Sequence, residues 1–271
     1  MPKLIVSDLD GTLLNAEHRL GDDTRRVLLA LRDQGFEVML ASGRHFQDIR
    51  CHAEILSPRG CLISSNGAAV HDRQGQLLHS HPVDADCLDF LLRDPLFDGV
   101  HTNVYRANDW LVDTAEPQLL EYHQESGFAY RILDFTEFDD EPVLKVFYYA
   151  REIDRLERLE DAIRDRLGDR VTTTYSLPVV LEVMAHGVSK GDALKRTLER
   201  LDIATEDVIA FGDGRNDIEM LQVAGTQVLM ANAVPWLKAA LPEAEIIGTN
   251  AEEAVAQYLL EHCLGGHPSR P

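Results

Sequence analysis

The chain has 271 residues, and its 46 acidic against 26 basic side chains give a formal charge of −20 at neutral pH. Because nucleic acids are bound mainly by Lys and Arg side chains that neutralise phosphates, this balance excludes a nucleic-acid partner and restricts any bound anion to a small one held locally. At roughly 150 residues per domain, the length predicts about two globular domains.

The cysteines and the apolar runs indicate a cytoplasmic location. The four cysteines lie far apart in the sequence, without a closely spaced pair, and no secretion signal opens the chain. No apolar run approaches the roughly 20 residues that a membrane-spanning helix needs. We therefore expect a cytoplasmic protein with reduced cysteines and no membrane partner; the oligomeric state is not readable from the sequence.

The first 82 residues alternate strand and helix patterns. Short apolar runs at 4–6, 38–41 and 61–63 are typical of buried strands, and Val27, Leu28 and Leu31 recur at helical spacing between the first two runs. Short links between such elements favour a parallel sheet. The polar segment 71–76 contains a glycine and predicts a hairpin turn.

From residue 83 to residue 186 the pattern changes to aromatic and Thr-rich strands, such as 146–150 and 171–175, mixed with two or three helices. The clearest helix carries one apolar stripe, formed by Ile153, Leu156, Leu159, Ile163 and Leu167. After Ser189 the first pattern returns, with a helix to Leu201, strands at 208–213 and 226–231, a helix from Asn216 and a last helix near His262.

These patterns predict an α/β fold. Its core, residues 1–82 and 187–271, is a doubly wound, Rossmann-like parallel sheet. Residues 83–186 form a smaller inserted α+β domain, which we call the cap.

Polar motifs follow strands or open helices at four places in the predicted core. Asp8 and Asp10 follow the first strand, Ser42 and Gly43 follow the second, and Lys190 opens a helix. Two acids and an amide, Asp213, Asp217 and Asn216, follow the strand 208–211. In a parallel sheet the carboxyl ends of the strands share one edge, where ligands bind. Each motif alone is also compatible with an ordinary turn or helix cap, but their joint occurrence at strand ends favours one site.

In this order, DLDGT, SGR, a helix-leading Lys and GDxxND resemble the haloacid dehalogenase-like phosphohydrolases over the whole chain. The long insertion, together with SSNGA at 64–68 and MANA at 230–233, resembles the Cof-type branch of that family. MANA departs from the more usual MGNA, and Gly214 stands where Ser or Asn is frequent; neither change removes a catalytic group.

The resemblance implies a mechanism. Asp8 is expected to be the nucleophile that forms an aspartyl-phosphate, and Asp10 the general acid and base. The implied cofactor is Mg²⁺, held by the side chains of Asp8 and Asp213 and the backbone carbonyl of Asp10, while Asp217 orients its waters. The phosphate-binding residues implied in the same way are Leu9, Thr12, Ser42, Gly43, Lys190 and Asn216, of which Thr12 also fixes the Asp10 side chain.

We therefore expect a Mg²⁺-dependent phosphatase of small phosphorylated metabolites: sugar phosphates, pyridoxal phosphate or pyrimidine-precursor phosphates. A phosphomutase, or a metabolite sensor that retains the site without turnover, are the alternatives. The cap is expected to select the substrate, although aromatic residues on strands are more often core residues. The cap candidates are Asn103, Tyr105, Trp110, Tyr122, Lys145 and Tyr149. His45 receives no role, since it could reach the site entrance but could equally be solvated or cap a helix.

Overall fold

The computed structural model describes residues 3–139 and 141–265, apart from the side chain of Tyr122. Across this described part the strands are β1 (Leu4–Ser7), β2 (Glu37–Ala41), β3 (Cys61–Ser64), β4 (Ala69–Asp72), β5 (Leu77–Ser80), β6 (His101–Arg106), β7 (Trp110–Val112), β8 (Arg131–Ile132), β9 (Val143–Tyr149), β10 (Val171–Leu177), β11 (Val180–Ala185), β12 (Val208–Gly212), β13 (Thr226–Leu229) and β14 (Glu245–Ile246). The α-helices are α1 (Asp22–Asp33), α2 (Phe46–Ile49), α3 (Ala85–Arg93), α4 (Ile153–Leu167), α5 (Lys190–Leu201), α6 (Ile218–Val223), α7 (Pro235–Ala240) and α8 (Ala254–His262). Within the same residues, no helix has the length and apolar character needed to cross a membrane.

The larger sheet forms the core, with strand order β14-β13-β12-β1-β2-β3-β4-β5. Pairing is parallel from β14 to β3 and antiparallel at the β3-β4-β5 edge. Successive side chains of a strand point to opposite faces, so the apolar run of β1 is buried on both sides. Ile5 packs in a cluster with α1 and α8, whereas Leu4 and Val6 pack in a cluster with α5, α6 and α7.

The smaller sheet lies within the insertion and has the order β10-β11-β9-β6-β7-β8. Its pairs are antiparallel except for β7 and β8. Helices α3 and α4 cover one face through a buried apolar cluster. Side chains from β6, β7 and β9 form a second, aromatic cluster that includes Tyr105, Trp110 and Phe147. The predicted fold class, a doubly wound core sheet with a smaller cap, is confirmed; the predicted cap limits, 83 and 186, stay a prediction.

Two local expectations need correction, and two short elements were missed. Ile153, assigned to the buried stripe of α4, begins that helix and is 45% exposed, whereas the other four stripe residues are buried. The helix expected from Asn216 begins at Ile218, because Asp217 accepts hydrogen bonds from the backbone N–H groups of Asp213 and Gly214 and holds a tight turn before it. The short elements α7 and β14 were not expected at all.

Candidate active site

The candidate site lies where the carboxyl ends of β1, β2 and β12 meet the first turn of α5. Strand β1 is the central member, between β2 and β12, so the loops that follow these three strands are neighbours. The topology thus brings the four predicted motifs to one edge of the sheet, as the position of ligand sites in parallel sheets leads one to expect.

The turn after β1 is shaped around Asp213. Gly11 has φ +76°, in the left-handed region, and a Cβ placed on it would lie 2.4 Å from Asp213 Oδ2. Glycine is therefore required both for the backbone conformation and for the close approach of that carboxylate. Thr12 Oγ1 donates a hydrogen bond to Asp213 Oδ1 at 2.7 Å. The expectation that Thr12 fixes the Asp10 side chain is wrong, because its hydroxyl holds Asp213 instead.

Lys190 occupies the centre of the acidic group. Its Nζ lies 2.6 Å from Asp8 Oδ1 and 2.7 Å from Asp217 Oδ1, and its side chain is completely buried. Ser189 caps α5 by accepting a hydrogen bond from Asp192 N, which fixes the start of the helix that carries Lys190. Lys190 is therefore the counter-ion of Asp8 and Asp217; its predicted contact with a phosphoryl oxygen stays a prediction.

The negative charge of Asp8, Asp213 and Asp217 exceeds the positive charge that Lys190 supplies. Oxygen atoms of Asp8, Asp213 and Asp217 all lie within 4.8 Å of one another. Burial raises the pKa of Asp8 above its ordinary value, against the effect of Lys190. Burial and the neighbouring Asp217 raise the pKa of Asp213 to about 7. Oxygen ligands with unneutralised negative charge suit a hard divalent cation such as Mg²⁺.

Asp217 has little capacity left for a direct metal bond. One of its oxygens accepts from Lys190, and the other accepts from the backbone N–H groups of Asp213 and Gly214, both at 2.9 Å. These contacts fix Lys190 and the loop after β12. The predicted role of Asp217 in orienting the waters of a metal stays a prediction.

Asp10 is held by Arg44 and His18. Arg44 Nε and Nη2 donate to the two oxygens of Asp10 at 2.7 and 2.5 Å, and His18 Nδ1 lies 3.4 Å from Oδ1. Although burial acts in the opposite direction, these neighbours hold the pKa of Asp10 well below its usual range. Asp10 is therefore a carboxylate in this arrangement, and it binds a proton only weakly while these contacts persist.

The same Arg44 connects the core to the cap through Asp48. Arg44 Nη1 donates to Asp48 Oδ2 at 3.0 Å, and His123 Nδ1 of the cap lies 2.9 Å from the same oxygen. Ser126, also in the cap, donates to the other Asp48 oxygen. A buried carboxylate needs several partners of this kind. Asp48 thus links the cap to the side chain that holds Asp10.

The remaining predicted phosphate-binding residues belong to the same group of loops as these acids. Leu9 and Ser42 are buried, and Ser42 Oγ accepts a hydrogen bond from Arg44 N at 3.1 Å. Gly43 and Asn216 line the cavity in front of Asp8. Asn216 donates from Nδ2 to Asn66 Oδ1 at 3.0 Å. Their roles toward a phosphate stay predictions.

A cavity of about 550 Å³ separates these core residues from the cap. Four of the six cap candidates line it: Tyr105, Trp110, Lys145 and Tyr149. Asn103 is instead completely buried, and its Oδ1 accepts a hydrogen bond from Trp110 Nε1 at 3.0 Å. Asn103 is therefore a structural partner of Trp110, while Tyr122 lies outside the described side chains.

His45 is a buried contact between core and cap. Its Nδ1 accepts a hydrogen bond from Gln47 N at the start of α2, and its Nε2 lies 2.7 Å from the carbonyl oxygen of Arg106 in β6. Its ring stacks on Phe128 of the cap at 4.5 Å. Burial lowers its pKa to about 4, so the ring is neutral and donates to Arg106. Of the interpretations left open, helix capping is confirmed, and a solvated side chain is excluded because His45 is buried.

The sequence-based interpretation missed Asp48, Asn66 and Glu182 and gave Arg44 no role. Asn66 has φ +56° and precedes Gly67, also left-handed, so the Asn-Gly pair was a usable signal for a tight turn. Glu182 is a single charge within an apolar strand, which signals a buried partner. Asp48 gives no such signal, since acids are common in short surface helices.

Comparison with known proteins shows which family this chain resembles. A family model described as haloacid dehalogenase-like hydrolase matches residues 5–259. A Haemophilus influenzae protein, provisionally named a phosphatase, is 43% identical over 95% of each chain. An Enterobacter protein named HMP-PP phosphatase is 36% identical over 96% of this chain and 95% of its own. A solved haloacid dehalogenase-like hydrolase from Bacteroides thetaiotaomicron has a TM-score of 0.83 and 27% identity, covering 96% of this chain and 99% of its own.

Proposed function

The chain belongs to the haloacid dehalogenase-like hydrolases, and from that premise we propose that it is a phosphatase of small phosphorylated metabolites. The family resemblance inferred from the motifs is thereby confirmed, and so is the inference that the protein is an enzyme. One observation carries the proposal for this chain. The Asp8 carboxylate, paired with buried Lys190 at 2.6 Å, stands at the wall of a cavity that the cap closes.

Asp8 is the nucleophile in this proposal. An Asp8 oxygen attacks phosphorus, the bond from phosphorus to the leaving oxygen breaks, and an acyl phosphate of the Asp8 carboxyl forms. Lys190 favours the ionised, attacking form of Asp8 by its proximity. A water molecule then attacks the same phosphorus, which frees Asp8 and inorganic phosphate.

Asp10 moves the protons of both steps. It gives a proton to the leaving oxygen in the first step and takes one from the attacking water in the second. The contact with Arg44 keeps Asp10 ionised, so this contact has to loosen before Asp10 carries a proton. In the second step the ionised form is already the required one.

The donor set fits Mg²⁺. Asp8, Asp213 and the backbone carbonyl of Asp10 would hold the ion, which when bound supplies positive charge that lets an anionic nucleophile approach an anionic phosphate. Burial raises the pKa of both Asp8 and Asp213, so a cation beside them would favour their ionised forms.

For the substrate we propose HMP-PP, the compound in the name of the Enterobacter relative, or another small phosphorylated compound that carries a planar group. The cavity suits a planar group, because the aromatic side chains of Tyr105, Phe147 and Tyr149 line its wall and can stack on such a group. Sugar phosphates and pyridoxal phosphate remain in the test panel as the other classes expected from the motifs.

A phosphate-release assay with this panel tests the proposal. Steady release that EDTA abolishes and added Mg²⁺ restores is expected, with no release by Asp8→Asn. An isomerised phosphate ester without free phosphate would identify a phosphomutase. Binding of a panel member without turnover would identify a sensor, and full activity after chelation would contradict the assigned metal.

A further inference from the structure

Two buried, oppositely charged cap residues face the core loops of the candidate site. Lys145 lies on β9 and Glu182 on the neighbouring strand β11, each with 2% of its surface exposed. Lys145 Nζ contacts Glu182 Oε1 in an ion pair. Charges this deeply buried persist only with good partners.

The partners of this pair belong to the core. Lys145 Nζ donates to the carbonyl oxygen of Gly43 at 2.6 Å, and Glu182 Oε2 accepts from Asn66 Nδ2 at 2.7 Å. Asn66 Oδ1 in turn accepts from Asn216 Nδ2 at 3.0 Å. A continuous chain of hydrogen bonds therefore runs from the cap to two residues of the loops after β2 and β12.

These contacts leave the pair few groups with which to bind a substrate. Lys145 Nζ also lies over the rings of Tyr105 and Phe147, at 4.7 and 4.8 Å from their centroids. Both Glu182 oxygens have protein partners. Asn216, in contrast, lines the cavity and keeps a second N–H for a ligand.

We propose that Lys145 and Glu182 are positioning residues: Glu182, through Asn66, holds the Asn216 amide in the geometry that binds a phosphoryl group, and Lys145 holds both Glu182 and the Gly43 carbonyl in place. Docking of the cap then completes the phosphate site, in addition to closing the cavity. The inference rests on the proposed phosphatase function for the identity of the ligand. A Cβ on Gly43 would lie 3.0 Å from Asn66 Oδ1, so a side chain there would crowd the Asn66 amide.

The test measures the affinity of inorganic phosphate by calorimetry, in the presence of Mg²⁺, for Asn66→Gly, Glu182→Gln and the double variant. Glycine retains the left-handed backbone of Asn66 while removing its amide. We expect each single variant to bind phosphate about tenfold more weakly, since a fixed hydrogen bond to a charged group is lost. The double variant should bind phosphate no more weakly than the single variant with the lower affinity, because both changes break the same chain of hydrogen bonds.

The matched control is Glu157→Gln, the same substitution at an exposed position of α4. Unfolding in urea reports stability separately, and KM for p-nitrophenyl phosphate should rise in parallel with the phosphate dissociation constant. If Glu182→Gln does not fold, Asn66→Gly carries the test with both charges in place. Phosphate affinities within twofold of the wild type, or additive losses, would overturn the inference. Phosphate binding by a wild-type chain that hydrolyses no ester would instead overturn the proposed function.

Discussion

Replacing Lys190 by Met tests the electrostatic balance on which the candidate site depends. Met has a similar length and fills the same space, but it removes the cation that contacts Asp8 at 2.6 Å and Asp217 at 2.7 Å. The carboxylates of Asp8, Asp213 and Asp217 would then adjoin one another with no buried positive charge among them.

Two independent arguments give the size of the effect. Breaking a buried ion pair by removing one partner costs about 3–5 kcal/mol. The loss of stability also has an upper limit, because an uncompensated carboxylate can be neutralised by binding a proton. For an acid with an unfolded-state pKa of ~3.9, protonation at about pH 7.5 costs about 5 kcal/mol at ~1.36 kcal/mol per unit. We therefore expect a loss of about 3–5 kcal/mol in the free energy of unfolding.

The pH dependence has a definite sign. Burial raises the pKa of Asp8 and Lys190 opposes this, so without Lys190 the folded-state pKa of Asp8 rises further above its unfolded value. Between the two pKa values, Asp8 then binds more protons in the folded variant than in the unfolded chain. Its protonation therefore stabilises the folded variant at low pH, and this contribution is lost as the pH rises through the folded-state pKa of Asp8. The difference between variant and wild type should shrink as the pH falls from about 7.5 to about 5.

Urea unfolding followed by circular dichroism, in EDTA at several pH values, measures this difference. Lys195→Met is the control, because Lys195 is an exposed residue of the same helix and should change stability by less than about 0.5 kcal/mol. A Lys190→Met variant as stable as the wild type at every pH would refute the view that Lys190 neutralises the acidic group.

Other parts of the site give three further predictions. With p-nitrophenyl phosphate, whose leaving group needs little protonation, Asp10→Asn should release a burst of about one equivalent of nitrophenol and then stall; Asp8→Asn should give no burst, and full turnover by Asp10→Asn would place the base elsewhere. Thr12→Val removes the hydrogen bond to Asp213 and should weaken Mg²⁺ activation about tenfold, whereas Thr12→Ser should not. Deleting residues 83–186 should leave a core that unfolds cooperatively in urea; a broad transition would contradict the predicted cap limits.

The sequence predicted the core better than the cap, for a physical reason. A strand of a doubly wound sheet is buried on both faces, so its apolar run is continuous and its end is marked by a polar turn. β1 and its Asp8 illustrate this pattern. The antiparallel cap strands have one face on helices and one on a cavity, so aromatic residues such as Tyr105 serve both packing and binding. Periodicity alone cannot separate these two uses.

The sequence predicted the positions of the site residues better than it predicted the contacts of their side chains. Thr12 was expected near Asp10, two residues away, but its hydroxyl reaches Asp213, which is 201 positions distant. The left-handed Gly11 turns the chain between Asp10 and Thr12, so closeness in sequence does not bring the Thr12 hydroxyl to the Asp10 carboxylate. The positions of the motifs along the sequence predict which residues meet at a sheet edge. They do not predict which hydrogen bonds those residues form there.

The charges inside the apolar cap strands show how much further a sequence argument can go. Lys145 in VLKVFYY and Glu182 in VLEVMA each place one charge in a buried strand, and an unpaired buried charge is too costly to persist. Two opposite charges in two such strands of one domain predict a pair. The sequence contains no comparable signal for Gly43 and Asn66, because their contacts with this pair are formed by a backbone carbonyl and a neutral amide. These contacts arise only where cap and core meet, and so the structure was needed to connect the pair to the loops after β2 and β12.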